Sequence, residues 1–386
     1  MLLIKNGRIL TMTGKEYLDG CVLIRDGKIE AVGEYIPEKG CEVYDARGGW
    51  VMPGLIDAHS HLGISEERHG PVGDDCNEAT NPLTPELRAL DAINPMDGSF
   101  VSALAAGITG VMVGPGSSNV VGGQFAFIKT AGRCIDRMCM LAPAAMKIAF
   151  GENPKTNYKN MSVMPSTRMT VSAMLRKELF EACAYLRKKR AALEAGQPFD
   201  EDFRLESYIP VLEKRIPLKA HVHRADDILT AIRIAKEFDV RMTLDHCTEG
   251  HLIADEIRAS GFPAIVGPSI ASRTKVEVQF SDPKTAGLLN EAGVMVAITT
   301  DHPVTRIEHL GLCAGLAARD GLGVEQALRA ITINAAKISG VSDRIGSIEA
   351  GKDADIAVFS DNPLFTFTHT ELTVVDGKIA YRVDKK

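Results

Sequence analysis

No apolar run in the chain is long enough to cross a bilayer as a helix. The eight cysteines are scattered and include no CxxC pair, which fits reduced thiols better than a disulfide framework. No basic run stands out among 44 basic and 50 acidic residues, and a formal net charge of -6 argues against nucleic acid as a partner. No GxGxxG follows an early strand, so a doubly wound nucleotide-binding sheet loses its main support. The start, MLLIKNGRILTM, meets charge before an apolar core of signal-peptide length can form, so the expected location is the cytoplasm. What is left is an ordinary globular composition, 45% hydrophobic and 24% charged, on 386 residues. That length suits one large barrel with an accessory piece.

Residues 1–50 read as short strands: LLIKNGRIL, CVLIRDGKIEAVG and CEVYDARGGWVMPG, the last running on to residue 54. Gly7 follows Asn and Gly27 follows Asp between alternating apolar residues, the pattern of a tight hairpin turn. Residues 345–386 repeat the style in SIEAGKDADIAVFS and TVVDGKIAYRV. Neither end has strands enough to bury a face alone, so both termini are expected to form one small β-sandwich. The middle, 51–344, alternates the runs VMPGLIDAH, ITGVMVG, FAFIKT, AMKIAF, LKAHVH, RMTLDH, PAIVGP and VMVAITTD with amphipathic stretches such as ADDILTAIRIAKEFD. About eight such units predict an α/β fold, a (β/α)8 TIM barrel with a parallel sheet. The polar segments 64–97 and 151–170 interrupt this rhythm and are expected as substrate-gripping loops at the strand ends.

Metal-ligating groups recur where those strands end. His59 and His61 close LIDAHSHLG; alternate residues of a strand share a face, so both imidazoles can aim into the barrel mouth. Two neutral imidazoles on a rigid strand form half of a zinc-type site. An HxH pair also occurs as plain surface, but this one ends an apolar strand and follows Asp57. His221 and His223 in AHVHRADD, His246 in TLDHCTEGH and Asp301 in AITTDHP end three further strands. Four such endings in register point to one centre. Lys147 in AMKIAF stands in an apolar strand, where burial disfavours the ammonium and favours the neutral amine. A position at the barrel rim or a pair with Glu152 is the alternative, and Lys129 in FAFIKT is a rival lysine one strand earlier.

PGLIDAHSH, the later histidines, TTDHP and the closing stretch from Gly346 through EAGKDADIAVF resemble the amidohydrolase superfamily along nearly the whole chain. Within it the chain is most similar to the imidazolonepropionase-like and prolidase-like branch. The resemblance implies a (β/α)8 barrel, a terminal β-sandwich, a homo-oligomer, and one or two divalent metals, with zinc foremost. It implies His59 and His61 as ligands of the more buried metal, His246 as the sixth-strand ligand, and Asp301 as both ligand and proton shuttle. On the fifth strand it favours His223 as ligand and leaves His221 in a supporting or core position. It also implies a carbamate on Lys147 bridging two metals, or Glu152 in that role as in some subtypes.

The reaction so implied is hydrolysis of a carbon–nitrogen bond in an amide, cyclic amide or peptide-like small molecule. Metal-activated water would attack, and Asp301 would pass its proton to the leaving nitrogen. One alternative is a one-metal deaminase of a small heterocycle, which carries a glutamate three places after the fifth-strand histidine; Asp226 stands there in this chain. Another is a non-catalytic barrel relative, a class that has lost metal ligands retained here. Arg68 and His69 in the first long loop, and Arg273 and Lys275 after the seventh strand, are candidate clamps for a substrate carboxylate, with solvated surface charge as the alternative. His302 is a candidate substrate contact. Cys247 adjoins His246 with nothing to activate it and is read as packing, and His251 and His309 carry no functional reading.

Overall fold

A computed structural model describes residues 1–38, 40–67 and 70–383. Arg68 and His69 lie outside the described residues. The alternating N-terminal segment forms β1 (Leu2–Leu10), β2 (Glu16–Arg25), β3 (Lys28–Gly33), β4 (Glu42–Asp45) and β5 (Trp50–Pro53). Asp26–Gly27 turns β2 into β3 as expected. Asn6–Gly7 does not turn the chain. It is a bulge inside β1: the register against β2 shifts on both sides of Gly7, and a Cβ there would approach Val51 Cγ2 to 2.5 Å.

The run VMPGLIDAH, expected as one barrel strand, divides at Gly54. Its first part belongs to β5 in the terminal sheet, and its second begins the barrel as β6 (Leu55–Ser60). The barrel sheet continues through β7 (Ile108–Val113), β8 (Val121–Lys129), β9 (Cys139–Ala149), β10 (Leu218–Val222), β11 (Met242–His246), β12 (Ala264–Val266) and β13 (Val296–Ile298), each bonded to the next. Side chains stitch the seam between β13 and β6. Asp57 Oδ2 accepts from Thr300 N at 2.9 Å and Thr300 Oγ1 at 2.6 Å, while Thr299 Oγ1 donates to His59 O at 2.6 Å.

The expected all-parallel order is broken by β8, which runs antiparallel to both β7 and β9. Segment 114–120 between β7 and β8 contains no helix and is too short for a parallel crossover, which needs about a dozen residues, so the chain folds back as a hairpin. The end of FAFIKT therefore points away from the mouth that the other strand ends share. Segment 151–170 also differs from the expected loop, because Glu152–Asn160 is a helix and a second one, Arg168–Glu194, begins within it. Thr167 caps the second helix by accepting from Thr170 N at 3.2 Å, and Leu175, Leu179 and Ala182 bury its inner face.

The chain returns in β14 (Ile356–Phe359), β15 (Thr370–Val375) and β16 (Lys378–Arg382). They complete a second eight-stranded sheet in the order β16-β15-β14-β5-β1-β2-β3, with β4 also on β1, so both termini build the sandwich. Ile4, Ile9, Val22, Ile356, Leu372 and Val374 share its core, each buried side chain stabilising by roughly 1.5–3 kcal/mol. Because β14 lies between β5 and β15, neither terminus covers this core without the other. Lys129 ties the barrel to the sandwich. Its Nζ lies 2.8 Å from Asp353 Oδ2 and 3.1 Å from Asp355 Oδ1, and it also pairs with Asp376. Among the described residues no helix is long and apolar enough to cross a membrane.

Candidate metal centre

Five of the expected ligands come together where β6, β11 and β13 end and β10 gives way to its helix. His59 and His61, one pleat apart, place their Nε2 atoms 3.4 and 3.3 Å from Asp301 Oδ1. His246 Nδ1 lies 4.0 Å from Asp301 Oδ2. His59, His246 and Asp301 form one group, and His221, His223 and His246 a second; within each, the donor atoms lie within 4.8 Å of one another. His221, expected to support His223 from behind, thus offers a nitrogen to the same group as His223 and His246.

The outer hydrogen bonds orient the rings. Gly114 O accepts from His61 Nδ1 at 2.7 Å, and Gly267 O accepts from His246 Nδ1 at 2.9 Å. A carbonyl can only accept, so in the neutral ring Nδ1 carries the hydrogen and Nε2 keeps a free lone pair. His59 Nδ1 faces Asp245 Oδ2 at 2.8 Å, and His223 Nδ1 faces Thr248 Oγ1 at 2.7 Å. Such outer partners fix metal-binding imidazoles. Asp245 is itself held by Lys219 Nζ at 3.1 Å and by Thr243 Oγ1 at 2.9 Å.

Backbone strain marks the same strand ends. His246, Cys247 and Asp301 have φ of 71°, 52° and 53°, a left-handed conformation costing about 1–3 kcal/mol per residue. Such positions persist where the surroundings hold them, here to swing side chains over the mouth.

Burial, with the charges of Lys147 and Lys219 added, depresses the His59 pKa well below its usual value; burial and neighbouring imidazoles do the same at His221 and His246. Burial brings His223 down to about 4 against the pull of Glu277. At His61 burial also opposes charge, but Cys76 and Asp301 outweigh it and raise the ring to about 10. Burial favours the neutral acid at Asp301, yet His246 and His61 hold its carboxylate below the usual range.

Lys147 is buried on β9, with Nζ 3.5 Å from His59 Nε2 and 5.7 Å from the centre of the Phe125 ring. Burial brings it down to about 8. It stands opposite Lys219 in the β9–β10 register, but only Lys219 has a carboxylate at ion-pairing distance among the described residues. Lys147 does not pair with Glu152, whose backbone N–H instead donates to Glu277 Oε2 at 2.7 Å. The rival Lys129 is excluded from the mouth by the reversal of β8 and by its three aspartates.

The remaining candidates divide. Arg273 and Lys275 line a mouth cavity of about 350 Å³ together with His61, Lys147, His223 and Asp301. Arg273 donates to Ser281 O at 2.8 Å, and Lys275 to Asn153 Oδ1. His302 does not line that cavity. It is buried, and its Nδ1 accepts from Ile307 N at 3.2 Å, so the ring is engaged within the protein. Asp226 is exposed and gripped by Arg224 at 2.9 and 3.0 Å, and it does not line the mouth cavity. Burial pushes the Cys247 thiol up to about 12, in keeping with packing.

Asp245, Lys219 and Glu277 escaped the reading of the sequence. Lys219 was accessible to it: in LKAHVH it shares a strand face with His221 and His223.

The amidohydrolase family profile matches residues 50–380, and the chain belongs to that family. It is 41% identical to an amidohydrolase from Thermotoga maritima of solved structure, with a TM-score of 0.96 over 99% of this chain and 100% of that one. It is 26% identical over 399 residues to the imidazolonepropionase of Rhizobium meliloti, covering 93% of this chain and 91% of that protein. Amidohydrolase tasK of Hapsidospora irregularis is 28% identical over 373 residues, 89% of this chain, but the chain spans only 38% of that protein. A prolidase complexed with N-methylphosphonate-L-proline shares the fold alone, at 16% identity and a TM-score of 0.61 over 99% of this chain and 100% of that one.

Proposed function

We propose that the chain is a metal-dependent hydrolase of a carbon–nitrogen bond in a small amide, cyclic amide or peptide-like molecule. The observation that carries this reading is Asp301 Oδ1. It is buried and has no hydrogen-bond partner among the described residues, and the Nε2 atoms of His59 and His61 converge on it at 3.4 and 3.3 Å. A buried carboxylate oxygen facing two imidazole nitrogens fits a divalent cation, which would displace the proton that Cys76 and Asp301 favour on His61, with zinc the first candidate for imidazole and carboxylate ligands. Such an ion lowers the pKa of its water towards about 7 and polarises the carbonyl under attack. His59, His61 and Asp301 would hold one ion; His246 with His221 or His223 would hold a second.

Lys147 is the group suited to lie between them. Its neutral amine adds to carbon dioxide, forming a C–N bond and releasing one proton, and the resulting carbamate offers two oxygens. Asp301 takes the proton of the attacking water and returns it to the leaving nitrogen. Arg273 and Lys275 at the rim favour a substrate bearing a carboxylate. The same reading keeps the protein cytoplasmic and homo-oligomeric, without nucleic-acid or membrane partners. The deaminase reading is weakened because Asp226 is committed to Arg224 outside the centre.

The test is a screen of N-acyl amino acids, dipeptides, cyclic amides and aminated heterocycles with zinc-loaded protein and with Asp301→Asn. Turnover of one class, abolished in the variant, supports the reading; turnover of aminated heterocycles alone would replace it with deamination.

A further inference from the structure

A second carboxylate repeats the signature of Asp301, and it is one that the chain order conceals. Glu277 sits in the short turn Val276–Val278, in the connection that follows β12. Its side chain is only 2% exposed. Oε2 accepts from the Glu152 backbone, while Oε1 receives no hydrogen bond among the described residues. That free oxygen lies 3.8 Å from His221 Nε2 and 3.9 Å from His223 Nε2. Both separations exceed hydrogen-bond reach. They match the ~3–4.2 Å between two donors that each stand ~2.1 Å from one ion.

The seat is built for this carboxylate. A Cβ at Gly151 would come to 2.5 Å from Glu277 Oε2, so the glycine, at a φ of 81°, leaves the space the carboxylate occupies. Lys275, the residue just before this turn, is turned to Asn153.

We propose that Glu277 is a ligand of the cation held by the fifth-strand histidines, so that the mouth contains two HxH–carboxylate sets. His59 and His61 work with Asp301, and His221 and His223 work with Glu277. This rests on the metal-dependent reading above and adds a ligand to it.

The test is cobalt(II) titration of metal-free protein, followed by its visible d–d bands, for wild type and Glu277→Gln. Glutamine keeps an oxygen for the Glu152 amide and turns an NH2 group, which cannot ligate, towards the histidines. The more weakly held cobalt is expected to loosen by at least the ~10–100-fold that losing an outer hydrogen-bond partner costs, with its bands altered and the tighter site unchanged. Should the amide variant misfold, Glu277→Asp carries the same test, because a carboxylate shortened by one methylene weakens that ion in the same direction. Unchanged affinity and bands for both ions would overturn this inference alone. Failure of the wild type to bind cobalt would overturn it together with the hydrolase reading.

Discussion

Replacing Lys129 by methionine separates the roles of Lys147 and of its rival from one strand earlier. Methionine keeps much of the volume but leaves Asp353, Asp355 and Asp376 without their shared cation. Asp353 retains Lys28 and Arg344; Asp355 has no other ion-pair partner among the described residues. Removing one partner of a buried ion pair costs about 3–5 kcal/mol. With an unfolding entropy near 2.1 cal/mol/K per residue over 386 residues, that loss lowers Tm by about 4–6 °C.

The loss depends on pH in a fixed direction. Burial raises Asp355 to about 6, against the attraction of Lys129. Its protonated form therefore stabilises the fold below the ordinary carboxyl pKa of 3.8, and that contribution is lost as pH rises through about 6. At pH 5 Asp355 is already mostly neutral and needs Lys129 less; at pH 8 it is charged, so the variant's deficit is larger there. Differential scanning calorimetry at both pH values, with metal analysis of the same samples, reads the prediction. A Tm equal to that of the wild type at pH 8 would refute the reasoning. Loss of bound metal without loss of stability would return Lys129 to the metal centre.

Three further outcomes follow from the geometry. Asp245→Asn removes the carboxylate that orients His59 and anchors Lys219, and should weaken zinc binding by about 10–100-fold in a chelator competition; unchanged affinity would deny the residue its positioning role. Asp301→Asn should lower kcat by about 10²–10⁴ even in metal-saturated protein, measured on whichever substrate the screen yields, and a near-normal kcat would remove Asp301 as the proton carrier. Arg273→Ala should raise KM for carboxylate-bearing substrates and leave their uncharged amides unaffected; equal KM values for both would end the acidic-substrate reading.

The histidines were legible because a strand's period of two needs only sequence: His59 with His61 and His221 with His223 share faces without knowledge of the fold. The terminal sandwich was legible for a similar reason, from alternating strands too few at each end to close a core. What escaped reading depends on long-range geometry. The reversal of β8 follows from a missing helix between two apolar runs whose periodicity says nothing of direction. The Asn6–Gly7 bulge uses the same dipeptide as a hairpin turn and differs only in the neighbour, Val51, that Gly7 must admit. Asp245 lies beside His246 in sequence yet serves His59, far along the chain. Glu277 sits in a connecting loop, where no strand periodicity advertises it.

The most direct test of the account is the number of metal ions per chain, by elemental mass spectrometry, in protein purified without chelator and in its Lys147→Ala variant. Close to two ions are expected in the wild type and fewer in the variant. No bound metal, even after reconstitution with zinc and bicarbonate, would contradict it.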